Sequence, residues 1–432
     1  MQTVKLSRPA ISKPYTDKVI SFILGEFQLF LLLFPFAEFF VTFGKWINLT
    51  VITNFLSTTL AGVSVLYLIL RRRLDIDLKP SFLMFVFLFY LLISFYWVHP
   101  VMLDDARNFF IHTMLVIVQA IVIVQILSEK APDEILNALK RFAIIVTILG
   151  LLSVIIFPSE SSWTVDDSGR KQAFFSSPNN FGQFLAFAFL IINFYKRKEL
   201  KLWKVLLLDV MIYFEITQCD SKTSLIGILV CFGCYHLRFL LKPLFYIVIA
   251  IGITLPIYTK MTNQSQNVQK VAFANRDLSF TGRSDVWDIL MKDLKSTGHE
   301  MFGFGMGGYW GEKIYHPKST MSELDWEPHQ GHNGYLDIRV MAGLFGFILF
   351  LAFLLYYIRQ LFKKTPHENV VIIFITLVIL INNITESTLF RDRHFYFVVF
   401  MLLYWYVFLI KNNKIILNEG NISDSSYISE KN

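Results

Sequence analysis

Apolar runs long enough to cross a lipid bilayer follow one another along most of this chain. A transmembrane helix needs about 20 apolar residues. Twelve segments read as spans: 19–40, 46–70, 81–98, 108–127, 142–158, 180–195, 203–219, 223–237, 240–258, 336–358, 369–387 and 395–410. The first carries Glu26 and Glu38, which blurs its ends, and the eighth is short. Of the 432 residues 54% are hydrophobic, 44 of them Phe, and 17% are charged, so a soluble domain could not hide this much apolar surface. The reading is an all-α polytopic membrane protein with about twelve transmembrane helices.

Loop charges set the orientation. With the N-terminus in the cytoplasm, the inner segments hold 23 Lys and Arg, among them Arg71–Arg73, Lys130, Lys140, Arg141 and the run "KRKELKLWK" at 196–204; the short outer loops hold 7. The formal charge of +7 is therefore a topology signal, with no nucleic-acid partner implied. Met1 to Lys18 is polar and basic, unlike a cleavable signal peptide. Cys219, Cys231 and Cys234 fall in or beside apolar runs, so the CxxC reads as packing. The Ser/Asn-rich tail, 411–432, reads as cytoplasmic and disordered.

One outer segment is far longer than the rest. Residues 259–335 separate spans 1–258 from spans 336–410, and connections of this length are usually functional or disordered. With Trp287, Trp310, Trp326 and many Gly, this one reads as a folded, partly helical external cap. Within it "GRSDVWDILMKDL" (282–294) sets Val286, Ile289, Leu290 and Leu294 at helical spacing, with Asp285 near the start.

On this topology the unusual polar residues gather on the outer face: Asn179 and Asn180 after Ser177 and Pro178, Ser221 and Lys222 between spans seven and eight, Arg283, His332 and Asn333, then Asn382, Asn383, Glu386, Arg391 and Arg393. Each alone has a bland reading as a cap or interface anchor. Together they mark a site. Arg and Lys with no acidic cluster beside them in sequence favour a phosphate-type anion, and His332 is the natural proton acceptor near neutral pH. A competing metal reading rests on Glu327, His329 and His332, but HxxH lacks the i, i+4 spacing of zinc helices and sits among Pro and Gly. "GFGMGG" (303–308) follows no strand, so tight turns explain it better than a nucleotide loop.

"TGRSDVW" (281–287), "GFGMGGYW" (303–310) and "HNGYLDIRVMAGLFG" (332–346) resemble the signature of the O-antigen ligase and polymerase superfamily, closest to its exopolysaccharide polymerases. "SSPNNFGQFLAF" (176–187), "DSKTSLIG" (220–227) and "NNITES" (382–387) are similar to its other motifs. The resemblance spans about 176–390; the first five spans share only hydropathy. It implies a metal-independent, inverting glycosyltransferase without a cofactor, acting on the outer side of the bacterial cytoplasmic membrane. The donor would be a glycan on a polyprenyl (undecaprenyl) diphosphate, and the acceptor a second glycan or lipid A-core. A flippase and a chain-length regulator are the implied partners.

The resemblance implies that Arg283 and Lys222 bind the diphosphate, that His332 takes or orients the acceptor proton, and that Asn333 holds His332 or a sugar hydroxyl. Arg391 would be a second phosphate contact or a headgroup anchor, and Glu386 an alternative base or a hydrogen-bonded polar residue. Gly343 and Gly346 would let span ten pack closely. Ligases of the family often carry Arg where Lys222 stands, which favours a polymerase over a ligase. A transporter is the alternative from another class, but its polar residues should lie near the bilayer midplane, in paired broken helices.

The topology predicts that a cysteine introduced as Glu300→Cys reacts with an impermeant thiol reagent added outside intact cells, and that Leu200→Cys does not. Labelling of position 200 alone inverts the orientation.

Overall fold

The computed structural model describes residues 15–33, 49–71, 78–156, 169–175, 177–263, 272–273, 276–277, 283–311, 316–324, 327–365, 369–391 and 394–408. The tail 411–432, Glu38, Trp326, Arg393 and most of 264–282 lie outside these residues. The chain is helical: α1 (Tyr15–Ser21), a π-helical turn (Phe22–Phe27), α2 (Gln28–Leu33), α3 (Leu49–Leu70), α4 (Leu78–Ile93), α5 (Leu103–Lys130), α6 (Glu134–Ile156), α7 (Pro178–Phe194), α8 (Leu202–Cys219), α9 (Lys222–His236), α10 (Leu241–Asn263), α11 (Arg283–Ser296), α12 (Gly334–Lys364) and α13 (Val370–Thr385). A last helix, α14, covers Phe395–Phe408. Ala272–Phe273 and Arg276–Asp277 form a small antiparallel pair.

Helices stand at the positions read as spans, but crossing a membrane is a stricter property than helicity. Among the described residues four helices are long and apolar enough: Pro100–Lys130, Glu134–Ile155, Arg238–Thr259 and Gly334–Lys364. Phe55–Leu70, Ser81–Trp97, Val370–Thr385 and Phe395–Phe408 are apolar but shorter. Glu26, the charge inside the first apolar run, lies in the π-helical turn and pairs with Lys130 (3.4 Å) and Arg141 (3.0 Å). An ion pair with residues of the expected inner cluster accounts for a carboxylate in an otherwise apolar helix.

The bundle is centred on α13. This helix is apolar all round, and every residue from Val371 to Asn383 is buried; such a helix belongs inside a bundle. It packs on α7, α9, α10 and α12, and its end delivers Asn382, Asn383 and Glu386 to the same pole as the starts of α7, α9, α11 and α12. A second, smaller core sits at that pole. Val286, Trp287, Leu290 and Leu294 of α11 pack with Phe304, Tyr309 and Met321 against Leu336 and Val340 of α12. The amphipathic helix read at 282–294 is thus α11, with Ile289 partly buried at the edge of this core.

The glycines of 303–307 and Gly343 work as one device. α12 breaks at Gly343 (φ +63°), which frees backbone groups that an apolar environment cannot satisfy. The segment 300–305 runs alongside and takes them up. Phe304 N–H donates to Val340 O (2.9 Å), Gly305 N–H to Met341 O (2.9 Å), Leu344 N–H to Glu300 O (2.9 Å) and Phe345 N–H to Met301 O (3.1 Å). Tyr90 Oη donates to Ala342 O at 2.7 Å. A Cβ on Gly343 would lie 2.3 Å from Gly303 N, so both residues must be glycine for the backbones to touch. Gly343 packs closely, as read from sequence, and in addition breaks the helix; Gly346 packs closely against Tyr90.

Gly343→Ala is expected to lower the thermal midpoint in detergent, because the left-handed backbone alone costs about 1–3 kcal/mol and the clash with Gly303 adds to it. Gly62→Ala, where a Cβ would meet nothing within 4 Å, is expected to stay within about 0.5 kcal/mol of the parent. Equal midpoints for the two variants would remove the docking role.

Candidate active site

Four donors converge on one carboxylate. Glu386, the residue that follows α13, is 8% exposed. Its Oε1 accepts from Arg283 Nη2 at 2.9 Å and from Asn179 Nδ2 at 2.8 Å. Its Oε2 accepts from Gln330 Nε2 at 3.0 Å and pairs with His332 Nδ1 at 3.1 Å. An ionised carboxylate can only accept, so the His332 bond requires the proton on Nδ1. Burial pushes the Glu386 carboxyl up. The hydrogen bond and charge of His332, with the guanidinium groups of Arg283 and Arg391, outweigh that and hold it well below the usual carboxylate range, at about 2.

Local sequence explains how each group arrives. Ser177 caps α7 by accepting from Asn180 N–H at 3.1 Å, and Pro178 occupies the first turn; this start presents Asn179 to Glu386. Arg283 opens α11 and keeps 27% of its side chain exposed. His332 adopts a left-handed backbone (φ +50°), costly for a residue other than Gly. Its neighbours hold it there: Gly331 N–H donates to both oxygens of Asp337 (3.1 and 3.0 Å), and Gly331 O accepts from Trp287 Nε1 at 2.6 Å. His332 keeps 20% of its side chain exposed.

The other residues read from sequence divide into neighbours and supports. Arg391 donates to Gln330 Oε1 and so joins the cluster one step away. Lys222 starts α9, is exposed, and has no ion pair or hydrogen bond among the described residues. It stands beside the cluster, because Thr223 Oγ1 and Thr385 Oγ1 lie 3.1 Å apart. Asn180 Oδ1 lies 3.3 Å from His394 Nε2. Since Tyr396 N–H donates to His394 Nδ1 at 3.3 Å, the ring proton is on Nε2; burial pushes His394 down to about 3.

Two expectations change in character. Asn333 caps α12: its Oδ1 accepts from Leu336 N–H (2.9 Å), and its Nδ2 donates to Gly252 O (3.0 Å) and Ile384 O (3.1 Å). Its amide is spent on backbone. Ser221 is buried, donates to Ser224 Oγ at 2.9 Å and packs on Gly182. The premise that the cations have no acidic neighbour also fails in three dimensions, since Glu386 lies against Arg283 and near Arg391. Among the described residues no group of three or more His, Cys, Asp and Glu side chains is placed to hold a metal.

Sequence reasoning missed Gln330 and Ser387 and gave Asp337 no role. Gln330 bridges Glu386 and Arg391: its Nε2 donates to Glu386 Oε2 and lies 3.2 Å from His332 Nδ1, while its Oε1 accepts from Arg391 and from Ser387 N–H at 3.3 Å. Asp337 takes Gly331 N–H, Trp310 Nε1 (3.2 Å) and Ser387 Oγ. A clue lay in "HQGHNGYLD", where polar residues are dense at the mouth of an apolar run.

Residues 220–351 match the O-antigen ligase family model. The match supports membership of the chain in the O-antigen ligase and polymerase superfamily. It covers Lys222, Arg283, Gln330 and His332, whereas Asn179, Glu386 and Arg391 lie outside it. No curated protein matches the chain.

The low position of Glu386 ties stability to pH. Its folded value, about 2, lies below the roughly 4.3 of an unfolded glutamate. The stabilisation is fully present above the unfolded value and is lost as pH falls toward 2. The thermal midpoint of the parent should therefore approach that of Glu386→Gln as pH drops from 6 to 3. A constant gap would contradict this.

Proposed function

We propose that this membrane protein is a glycosyltransferase that polymerises polyprenyl-diphosphate-linked oligosaccharide units on the outer side of the cytoplasmic membrane. The observation that carries the reading is the His332–Glu386–Arg283 cluster, a proton acceptor backed by a buried carboxylate with a cation on the other carboxylate oxygen. The O-antigen ligase match over 220–351 supports the same chemistry.

In the proposed step an acceptor hydroxyl attacks the anomeric carbon of the donor. The new C–O bond forms as the bond to the diphosphate breaks, and its electron pair leaves on the phosphate oxygen. His332 takes the hydroxyl proton through Nε2 while Glu386 holds Nδ1–H and stabilises the imidazolium. Arg283 has five N–H donors, so its pairing with Glu386 fixes the fork and leaves donors for the diphosphate. Lys222 supplies a second positive charge. Glu386 serves as a positioning residue: a carboxyl held near 2 is a weak base at neutral pH. No metal is needed to carry the leaving charge in this scheme.

The family match bears the ligase name, so transfer of a finished glycan to lipid A-core or to protein is the second reading. Lys222 favours polymerisation, since an ammonium lacks the bidentate fork often found in ligases of this family. The helix break in α12 does not favour a transporter, because backbone of 300–305 fills it. In a clean deletion, single repeat units attached to the surface acceptor indicate a lost polymerase; carrier-linked chains over a bare acceptor indicate a lost ligase.

His332→Ala is expected to lower turnover by roughly 10²–10⁴-fold with donor binding retained, and His332→Gln to be nearly as poor. Arg283→Ala should abolish polymer, with partial recovery in Arg283→Lys. Normal polymer from Arg283→Ala at normal protein level would end the diphosphate assignment.

A further inference from the structure

A polar stripe on α5 is left unused by this reaction. Asp105, Asn108 and His112 recur at i, i+3 and i+7, with Phe109 at i+4, so they share one face of the helix. All four line a cavity of about 330 Å³. Asp105 and Asn108 lie in the first turns of α5, at the start of its apolar run, with His112 about a turn further in, and the stripe faces the cavity. The lining also includes Trp310, Gln330 and Arg391. Gln330 also donates to Glu386 and lies 3.2 Å from His332 Nδ1, so the cavity adjoins the Glu386 cluster through Gln330, while His332, Glu386, Arg283 and Lys222 are not among its walls.

The wall chemistry selects the occupant. A polyprenyl chain would strip water from Asp105 and Asn108 without replacing their hydrogen bonds. A phosphate would meet Asp105 and Asp337 as well as Arg391, whose guanidinium already donates to Gln330, so two carboxylates face one engaged cation. A saccharide suits both kinds of surface: its hydroxyls pair with carboxylate, amide and imidazole groups, and its C–H faces lie on Trp310 and Phe109. The volume is at the lower end of small-ligand sites, about 300–1,000 Å³, which accommodates a short saccharide.

We infer that this cavity is a saccharide subsite that holds the acceptor, across Glu386 from the end that takes the donor diphosphate. The assignment to the acceptor rests on the glycosyltransferase reading above. Glu386 meets Arg283 and Asn179 through Oε1, and Gln330 and His332 through Oε2. The carboxylate therefore separates the proposed diphosphate ligand from the cavity wall. His332 is not itself in the lining, so an acceptor seated against Gln330 has to extend one hydroxyl past that residue to reach it.

The test uses purified full-length protein in detergent and two probes: the oligosaccharide freed by mild acid from the host's own lipid-linked units, and undecaprenyl diphosphate without sugar. Asn108→Ala and His112→Ala are expected to raise the oligosaccharide Kd about tenfold and to leave undecaprenyl diphosphate binding unchanged. Arg283→Ala should do the reverse. Asp105→Asn, which keeps the shape of the side chain, guards against a folding defect, and gel filtration checks all four variants. In turnover the α5 substitutions should raise the KM of an added acceptor. A rise confined to the lipid-linked donor overturns the acceptor assignment. An oligosaccharide Kd unmoved by every α5 substitution, or no binding by the parent at millimolar concentration, overturns the subsite itself. If undecaprenyl diphosphate fails to bind while oligosaccharide binding still depends on α5, the subsite stands and the diphosphate reading falls.

Discussion

A buried, ionised carboxylate sets the terms for this pole of the molecule. Removing Glu386 from water costs several kcal/mol unless its oxygens are paired. The partners come from three distant places in the chain: Asn179 at the start of α7, Arg283 at the start of α11, and Gln330 with His332 before α12. None of these segments can satisfy Glu386 alone. The site therefore exists only when the bundle and the segment above it are assembled, and an error in docking α11 would leave a buried charge exposed to an apolar surround. The same dependence makes the arrangement rigid, which is what preorganised electrostatics need.

The helix break at Gly343 is the second constraint, and it reaches the same site by another path. Because segment 300–305 saturates the freed groups of Val340, Met341, Leu344 and Phe345, the smaller core around Trp287 and Phe304 is fixed to α12 by backbone rather than by side-chain packing alone. Trp287 then holds Gly331 through its carbonyl, next to the strained His332. The aromatic core, the glycine turn and the strained histidine are thus successive steps of one support. Asn383 provides the matching support below: its Oδ1 accepts from Thr388 N–H, Thr388 Oγ1 and Leu389 N–H, which shapes the turn leading to Arg391.

Much of this was legible in sequence, for physical reasons that also mark where reading stops. Helical periodicity located α11 because its apolar positions alternate with charge. Local polarity at the ends of apolar runs singled out Asn179, Arg283, His332 and Glu386. What sequence could not show is direction. Asn333 has the same side chain as Asn179, and Ser221 is likewise small and polar, but the Asn333 amide is consumed in capping α12 and the Ser221 hydroxyl is buried against Gly182. Gln330 looked ordinary in a polar loop, and its importance comes from partners 56 and 61 positions away. A pairing between Arg283 and Glu386, 103 positions apart, leaves no local trace either. Gly343 was legible as a contact residue; that it also breaks α12 shows only in the backbone.

The two cations on the proposed diphosphate side differ in how much freedom they keep. Arg283 is already oriented by Glu386, so it loses little entropy on meeting a ligand, and its planar fork marks one fixed place for negative charge. Lys222 is exposed at the first position of α9, where the unpaired backbone N–H groups of a helix start also favour an anion. Its flexible stem can follow a diphosphate as that group moves away from the sugar. A cation fixed by Glu386 and an exposed one at the start of α9 suit a transferase in which each spent carrier must leave before the next arrives. Two fixed forks would bind the spent diphosphate more tightly and slow its release. That difference would give the proposed Lys222 contact a part in product release as well as in holding the leaving charge, whether the acceptor is a second repeat unit or a finished surface acceptor.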